Sequence, residues 1–211
     1  MKIPNTWTFK SADIACNFDD HVREQLPWYD ICSDAVEHIV LNYLPDYGLI
    51  YDIGCSTGNI HARIKKTIEN RCARYIGIDN SKEMLSLFNE DCEKVFCDAT
   101  EYDFECFDVC ILFLTTMFIP ASKQLDFIAM LKRKIKPGGC IIVVDKEEQR
   151  CGYFGSVLSR LTIKEKLKTT SASDILKKEL SLSGIQRPLN KNIIGGKDFF
   201  RFGDFFGVII E

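Results

Sequence analysis

Five short apolar runs recur along the first two thirds of the chain: GLIYDIG (Gly48 to Gly54), RYIGID (Arg74 to Asp79), KVFCD (Lys94 to Asp98), FDVCILFL (Phe107 to Leu114) and CIIVVD (Cys140 to Asp145). The longer ones do not alternate apolar with polar residues, which is the pattern of strands buried on both faces. Helical segments separate them. Asp30 to Leu44 carries Ile31, Ala35, Ile39, Val40 and Tyr43 on one stripe and stops at Pro45; Asn59 to Ile68 and Lys82 to Phe88 follow. Lys123 to Ile135 is the next helix, closed by the KPGG turn at Lys136 to Gly139. Strands covered on both faces and joined by helices require a parallel sheet, and right-handed crossovers make it doubly wound.

Beyond Asp145 the pattern changes. Phe154 to Lys168 and Ser173 to Leu182 are expected helices, separated by KTTSAS. The C-terminal FFRFGDFFGVIIE places two aromatic runs around Gly203-Asp204, a hairpin signal. The expected fold is therefore α/β, a doubly wound, mostly parallel, Rossmann-like sheet ending in an antiparallel hairpin. Residues 1–47 are expected to form an arm and helices covering a pocket, and residues 48–211 the ligand-binding domain, within one compact unit. Residues 1–16 show no clear period and are expected to be a flexible arm or a strap.

Composition narrows the partners. A net charge of -3 gives no basic footprint for nucleic acid. None of the ten cysteines forms a C-x-x-C pair, and Cys55, Cys110 and Cys140 fall in or beside the buried strands. They are expected to act as reduced, small hydrophobes in a cytoplasmic protein, without a metal site or disulfides. MKIPNTWTFK lacks a signal-peptide core, and no apolar run approaches the ~20 residues of a membrane span.

The chemical signal begins at YDIGCSTG, Tyr51 to Gly58. Gly54 and Gly58 flank a strand-to-helix turn where bare backbone can approach a ligand. Asp79 closes the next strand, 21 residues after Gly58, where a carboxylate can accept from ribose hydroxyls; it also suits a cap for the helix starting near Ser81. Asp98 closes the third strand, within reach of an adenine amine. Asp52 suits a cationic amino-acid tail. A dinucleotide site would bring pyrophosphate to the helix N-terminus, usually with G-x-G-x-x-G. Here the spacing is G-x-x-x-G, and carboxylates that would repel pyrophosphate favour a sulfonium with a free ammonium group, the charge pattern of S-adenosylmethionine.

Together YDIGCSTG, GIDNS, CDA and KPGG resemble the class I methyltransferase series, whose sheet also ends in an antiparallel hairpin. FDDHV (Phe18 to Val22), LPWY (Leu26 to Tyr29), VDKE (Val144 to Glu147) and the aromatic C-terminal strand extend the likeness to the carboxy-S-adenosylmethionine synthases of the wobble-uridine tRNA pathway. The resemblance implies that Tyr29 bonds the ligand carboxylate, that Asp79 with neighbouring Asn80 holds the ribose, and that Asp98 and Ala99 hold the adenine. Gly54, Cys55 and Ser56 would line the methionine portion. It also implies a homodimer. Two departures stand out: Phe113 occupies the place of an asparagine near the sulfonium, and the segment that supplies a carboxylate-binding arginine is shorter, with Arg160 as its equivalent. Tyr29, Arg160 and Lys146 are the candidate catalytic residues.

Three functions follow from these residues. The first is transfer of a methyl or carboxymethyl group from S-adenosylmethionine, or its carboxylated form, to an unidentified small-molecule or tRNA acceptor. The second is synthesis of carboxy-S-adenosylmethionine from prephenate, with Lys146, Arg160 and Lys164 as a basic pocket. The third is cofactor binding without catalysis. Thr115, Thr116 and Met117 stand where an adenine methyltransferase would carry an N-P-P-Y tetrapeptide, which argues against that activity.

Overall fold

A computed structural model describes residues 3–148 and 152–211. Two helices, α1 (Ala12–Gln25) and α2 (Tyr29–Tyr43), precede β1 (Leu49–Ile53). Then come α3 (Asn59–Asn70), β2 (Arg74–Asp79), α4 (Lys82–Leu87), β3 (Glu93–Phe96), β4 (Phe107–Phe113), α5 (Ala121–Lys132) and β5 (Ile135–Lys146). The C-terminal part adds α6 (Tyr153–Lys166), α7 (Ala172–Ser181), α8 (Lys191–Ile194), β6 (Lys197–Phe202) and β7 (Phe205–Ile210).

The seven strands form one sheet in the order β3-β2-β1-β4-β5-β7-β6. Pairings among β1 to β5 are parallel, whereas β7 runs antiparallel to both β5 and β6. This is the doubly wound sheet with a terminal hairpin expected from the sequence. Strand order reverses between β1 and β4, so the crossovers on either side diverge and open a crevice at the carboxyl ends of the strands.

Alternate residues of each strand feed opposite faces. Ile50, Val109, Ile111, Ile142 and Val144 pack with Cys32, Val36 and Val40 of α2 and Ile60 and Ile64 of α3. Tyr51, Ile53, Cys110, Leu112, Ile141 and Val143 pack on the other face with Phe127, Ile128 and Leu131 of α5. A fully buried aliphatic side chain contributes roughly 1.5–3 kcal/mol, so these two layers hold the crevice walls rigid.

Two local differences from the sequence reading have physical causes. Helix α5 ends at Lys132, and β5 begins at Ile135 rather than Cys140. Its register breaks between Phe107↔Ile135 and Val109↔Cys140, so KPGG bulges from the strand, with Gly138 at φ +81° and Lys136 Nζ bonded to Asp108 at 2.8 Å. The segment before Cys16 is also not wholly an arm, because α1 starts at Ala12. Ile14, Ala15, Phe18 and Val22 supply its inward stripe.

Candidate functional site at the carboxyl edge of the sheet

The crevice is a cavity of about 230 Å³ whose walls come from β1, β2, β4 and β5, the loops after them, and helices α1, α2, α6 and α7. Asp52 is 2% exposed on β1, beside Gly77 and Ile111 of the flanking strands. Tyr75 donates to its Oδ2 at 2.7 Å. Burial raises the Asp52 carboxyl to about 7, partly offset by that hydroxyl. A cationic group arriving here would meet a carboxylate released from its desolvation penalty.

The loop after β1 is shaped by backbone geometry. Gly54 has φ +74°, and a Cβ on it would sit 2.3 Å from Thr115 Oγ1, which itself donates to the Ile53 carbonyl at 2.8 Å. Any side chain is strained there and collides with the β4 loop. Ser56 also adopts positive φ, at 53°, and its N–H donates to Asp79 Oδ2 at 2.9 Å. The other Asp79 oxygen accepts from the Ser81 N–H at 2.8 Å. Asp79 thus fixes the loops after both β1 and β2; burial raises its pKa while these backbone bonds lower it, leaving a net rise. Ser81, not Asp79, caps α4 by accepting from Met84.

Asp98 sits after β3, its Oδ1 accepting from the Thr100 amide and hydroxyl. It lines the cavity with Asn80, Cys97 and Ala99. On the opposite wall the buried Tyr29 ring meets Phe113 edge-on at 5.3 Å, and burial lifts its phenol pKa.

Of the residues singled out from sequence, Tyr29, Asp52, Gly54, Cys55, Ser56, Asp79, Asn80, Asp98, Ala99, Phe113 and Lys146 all line this cavity. Gly58 does not. It occupies the left-handed region at the start of α3, where a Cβ would strike the Phe88 ring at 2.5 Å, so its bareness serves packing. Arg160 and Lys164 are exposed on α6 and do not line the cavity. Six residues along a helix is a rotation of about 240°, so when Lys166 faces inward Arg160 faces elsewhere.

The basic lining is instead Lys146, Lys166 and Lys178. Lys166 Nζ pairs with Glu179 at 2.7 Å, and Lys146 Nζ donates to Gln186 at 3.1 Å and lies 4.0 Å from Glu179. No short motif announces Lys166 and Lys178, since their convergence depends on how α6 and α7 pack.

The tie between α1 and the glycine loop was the other part not found from sequence. Asp19 Oδ1 accepts from Thr57 Oγ1 and Asn59 Nδ2, both at 2.6 Å, tying α1 to the glycine loop. Arg23 donates to Asn59 at 3.2 Å and lies 5.4 Å from the Tyr29 ring centroid. Ahead of α1, the Trp7 N–H donates to the Ser181 carbonyl at 2.9 Å, and Phe9 meets Phe118 edge-on at 4.9 Å. Trp7 and Phe9 of this segment line the cavity. Among the described residues no group of three or more His, Cys, Asp or Glu side chains is placed to hold a metal, and no helix is long and apolar enough to cross a membrane.

Comparison with known proteins bears on the fold that carries this cavity. Residues 51–143, from the first glycine strand through β5, match the methyltransferase domain family. Two solved structures share the fold. An S-adenosylmethionine-dependent methyltransferase from Clostridium acetobutylicum superposes with TM-score 0.50 at 20% identity, over 62% of this chain and 57% of that one. The plantazolicin methyltransferase BpumL in complex with SAH gives 0.57 at 17% identity, over 82% of this chain and 62% of that one. The chain therefore spans about three fifths of those two proteins. The chain thus contains a stretch that matches a methyltransferase domain and has the fold of S-adenosylmethionine-dependent methyltransferases. Over its whole length it is similar to carboxy-S-adenosyl-L-methionine synthase of Staphylococcus epidermidis, with 28% identity over 98% of this chain and 97% of the relative. A protein of the same description from Shewanella sp. strain MR-7 is 24% identical over 92% of the chain and 85% of its own length.

Proposed function

We propose that the protein binds S-adenosylmethionine, plain or carboxylated, along the acidic edge and transfers its methyl or carboxymethyl group to an acceptor lodged deeper in the cavity. One observation carries this: Asp52, Asp79 and Asp98, from successive strand ends, line one cavity together with the Gly54 loop. When bound, the cofactor supplies a carbon activated by its sulfonium. The donor set fits the cofactor's charge. Asp52 would hold its ammonium, Asp79 its ribose hydroxyls, and Asp98 with Ala99 its adenine, while Ser56 and Cys55 would flank the methionine portion. Tyr29 and Phe113 form the apolar wall beside the reacting centre. The protein's work is alignment and water exclusion, for which Trp7, Phe9 and Phe18 of the N-terminal segment and α1 form the cover.

A second reading is synthesis of carboxy-S-adenosylmethionine, favoured by the similarity over 98% of the chain to a protein of that name. It uses the same acidic edge, with Phe113 at the place where the resembling family has an asparagine and with Lys146, Lys166 and Lys178 as the basic lining. Mass spectrometry of ligand released from purified protein tests both. An adenosyl sulfonium compound is expected; its carboxylated form appearing only after incubation with prephenate would favour the synthase, and tight cofactor binding without turnover of any acceptor would contradict group transfer. A homodimer is implied by the family likeness, and light scattering in solution tests it.

A further inference from the structure

The cavity is electrostatically two-ended. Its acidic edge holds Asp52, Asp79 and Asp98, whereas the end beside Trp7 holds Lys146, Lys166, Lys178 and His21, with Glu179 as the single carboxylate among them. Glu179 serves Lys166 and, at longer range, Lys146. Lys178 has no ion-pair partner among the described residues, and its Nζ rests on the Trp7 ring. His21 stacks on the same indole, at 5.8 Å between centroids and 27° between planes, and its Nε2 is buried with no hydrogen-bond partner.

Among the described residues, the charged or titratable groups that line the cavity around Lys178 are His21 from α1, Lys146 from β5, Lys166 from α6 and Glu179 from α7. Burial, then repulsion from Lys166, drives Lys178 down to about 5 against a smaller pull from Glu179. Burial and Lys178 likewise bring His21 down to about 4. These two bases stand neutral chiefly because burial disfavours their charged forms, with neighbouring cations adding to it, and neither is hydrogen-bonded or ion-paired to an acidic partner among the described residues.

The geometry points to a second binding site here: a small dianion, carboxylate or tetrahedral oxyanion, seated among Lys146, Lys166 and Lys178 beside His21, as the charged group of the acceptor. Its acceptor role rests on the group-transfer reading. The anion supplies the missing negative charge, so Lys178 takes up a proton as it binds and its ammonium then lies against the Trp7 face, a favourable cation–π contact. The two ends of the cavity thus sort their ligands by sign, cation at the strand edge and anion beside Trp7.

Calorimetric titration with malonate and with sulfate, each with and without S-adenosylhomocysteine, tests this. The two probes keep fixed charge near neutral pH and represent carboxylate and phosphoryl-type acceptors. We expect at least one to bind, with uptake of about one proton per anion in buffers of different ionisation heat. Lys178→Met, which keeps the apolar stem, should abolish the proton uptake and weaken the anion about tenfold or more, and Lys166→Gln should weaken it similarly. S-adenosylhomocysteine affinity, changed less than about twofold, reports that the variants are folded. Preference for malonate assigns a carboxylate acceptor and preference for sulfate a phosphorylated one. Binding of neither probe to the wild type, or binding unaltered by both substitutions, overturns the site; failure of S-adenosylhomocysteine to bind overturns the cofactor assignment instead.

Discussion

Asp52 is the residue where fold stability and ligand binding pull in opposite directions. Its carboxyl ordinarily titrates at 3.8 and stands at about 7 in the folded protein, because burial opposes its charge more than the Tyr75 hydroxyl favours it. The folded state therefore binds a proton that the unfolded chain has released. Its contribution to stability is present below the unfolded value and is lost as pH rises from 3.8 to about 7. Asp145, buried on β5 and also raised to about 7 by desolvation, acts in the same sense. Asp79, also raised, adds to this loss, whereas His21 and Lys178, held below their ordinary values, oppose it, so the effect of Asp52 is read as the difference between wild type and Asp52→Asn. The melting temperature of wild type relative to Asp52→Asn should fall as pH rises through that window; a constant difference would show that Asp52 ionises normally. A cationic ammonium beside Asp52 pulls its pKa down again, so cofactor binding near pH 7 should release protons, the reverse of the anion's effect.

At the scale of elements, the glycine loop is held from three sides. Thr115 fills the space in front of Gly54, Asp79 holds the Ser56 amide, and Asp19 of α1 holds Thr57 and Asn59. Gly54→Ala must strain φ and displace Thr115, which should cost about 1–3 kcal/mol in denaturant melts and lower cofactor affinity. Asp19→Ala makes a subtler case, since it removes no part of the cavity wall. It should leave the melt within about 1–2 kcal/mol of wild type yet speed amide exchange across residues 54–59 and weaken the cofactor severalfold. Unchanged exchange in that loop would mean that α1 merely covers it. These elements were unequally legible. Gly54, Asp79 and Asp98 announce themselves because strand ends and loop glycines sit at fixed sequence positions. The α1 stripe of Ile14, Ala15, Phe18 and Val22 has helical spacing but is interrupted by polar residues, and Asp19 carries no local sign of its partner 38 residues away.

Across the whole molecule, the alternation of buried strands with helices specified the doubly wound sheet, and Gly203-Asp204 marked the hairpin that closes it. The acidic edge was readable because one topological rule, ligand at the carboxyl ends of strands where the order reverses, places every relevant loop. The basic end was not, because it depends on helix rotation and on packing of α6 and α7 over the crevice. Arg160 and Lys164 have the right charge on the wrong face, while Lys166 and Lys178 converge. The central claim is that one cavity edge recognises a cationic adenosyl ligand through carboxylates fixed at successive strand ends. Calorimetric titration of wild type and Asp79→Ala with S-adenosylmethionine tests it most directly. Saturable one-to-one binding, weakened by about 1–3 kcal/mol in the variant, is the expected result. No binding by the wild type, or equal affinity for the variant, would contradict it.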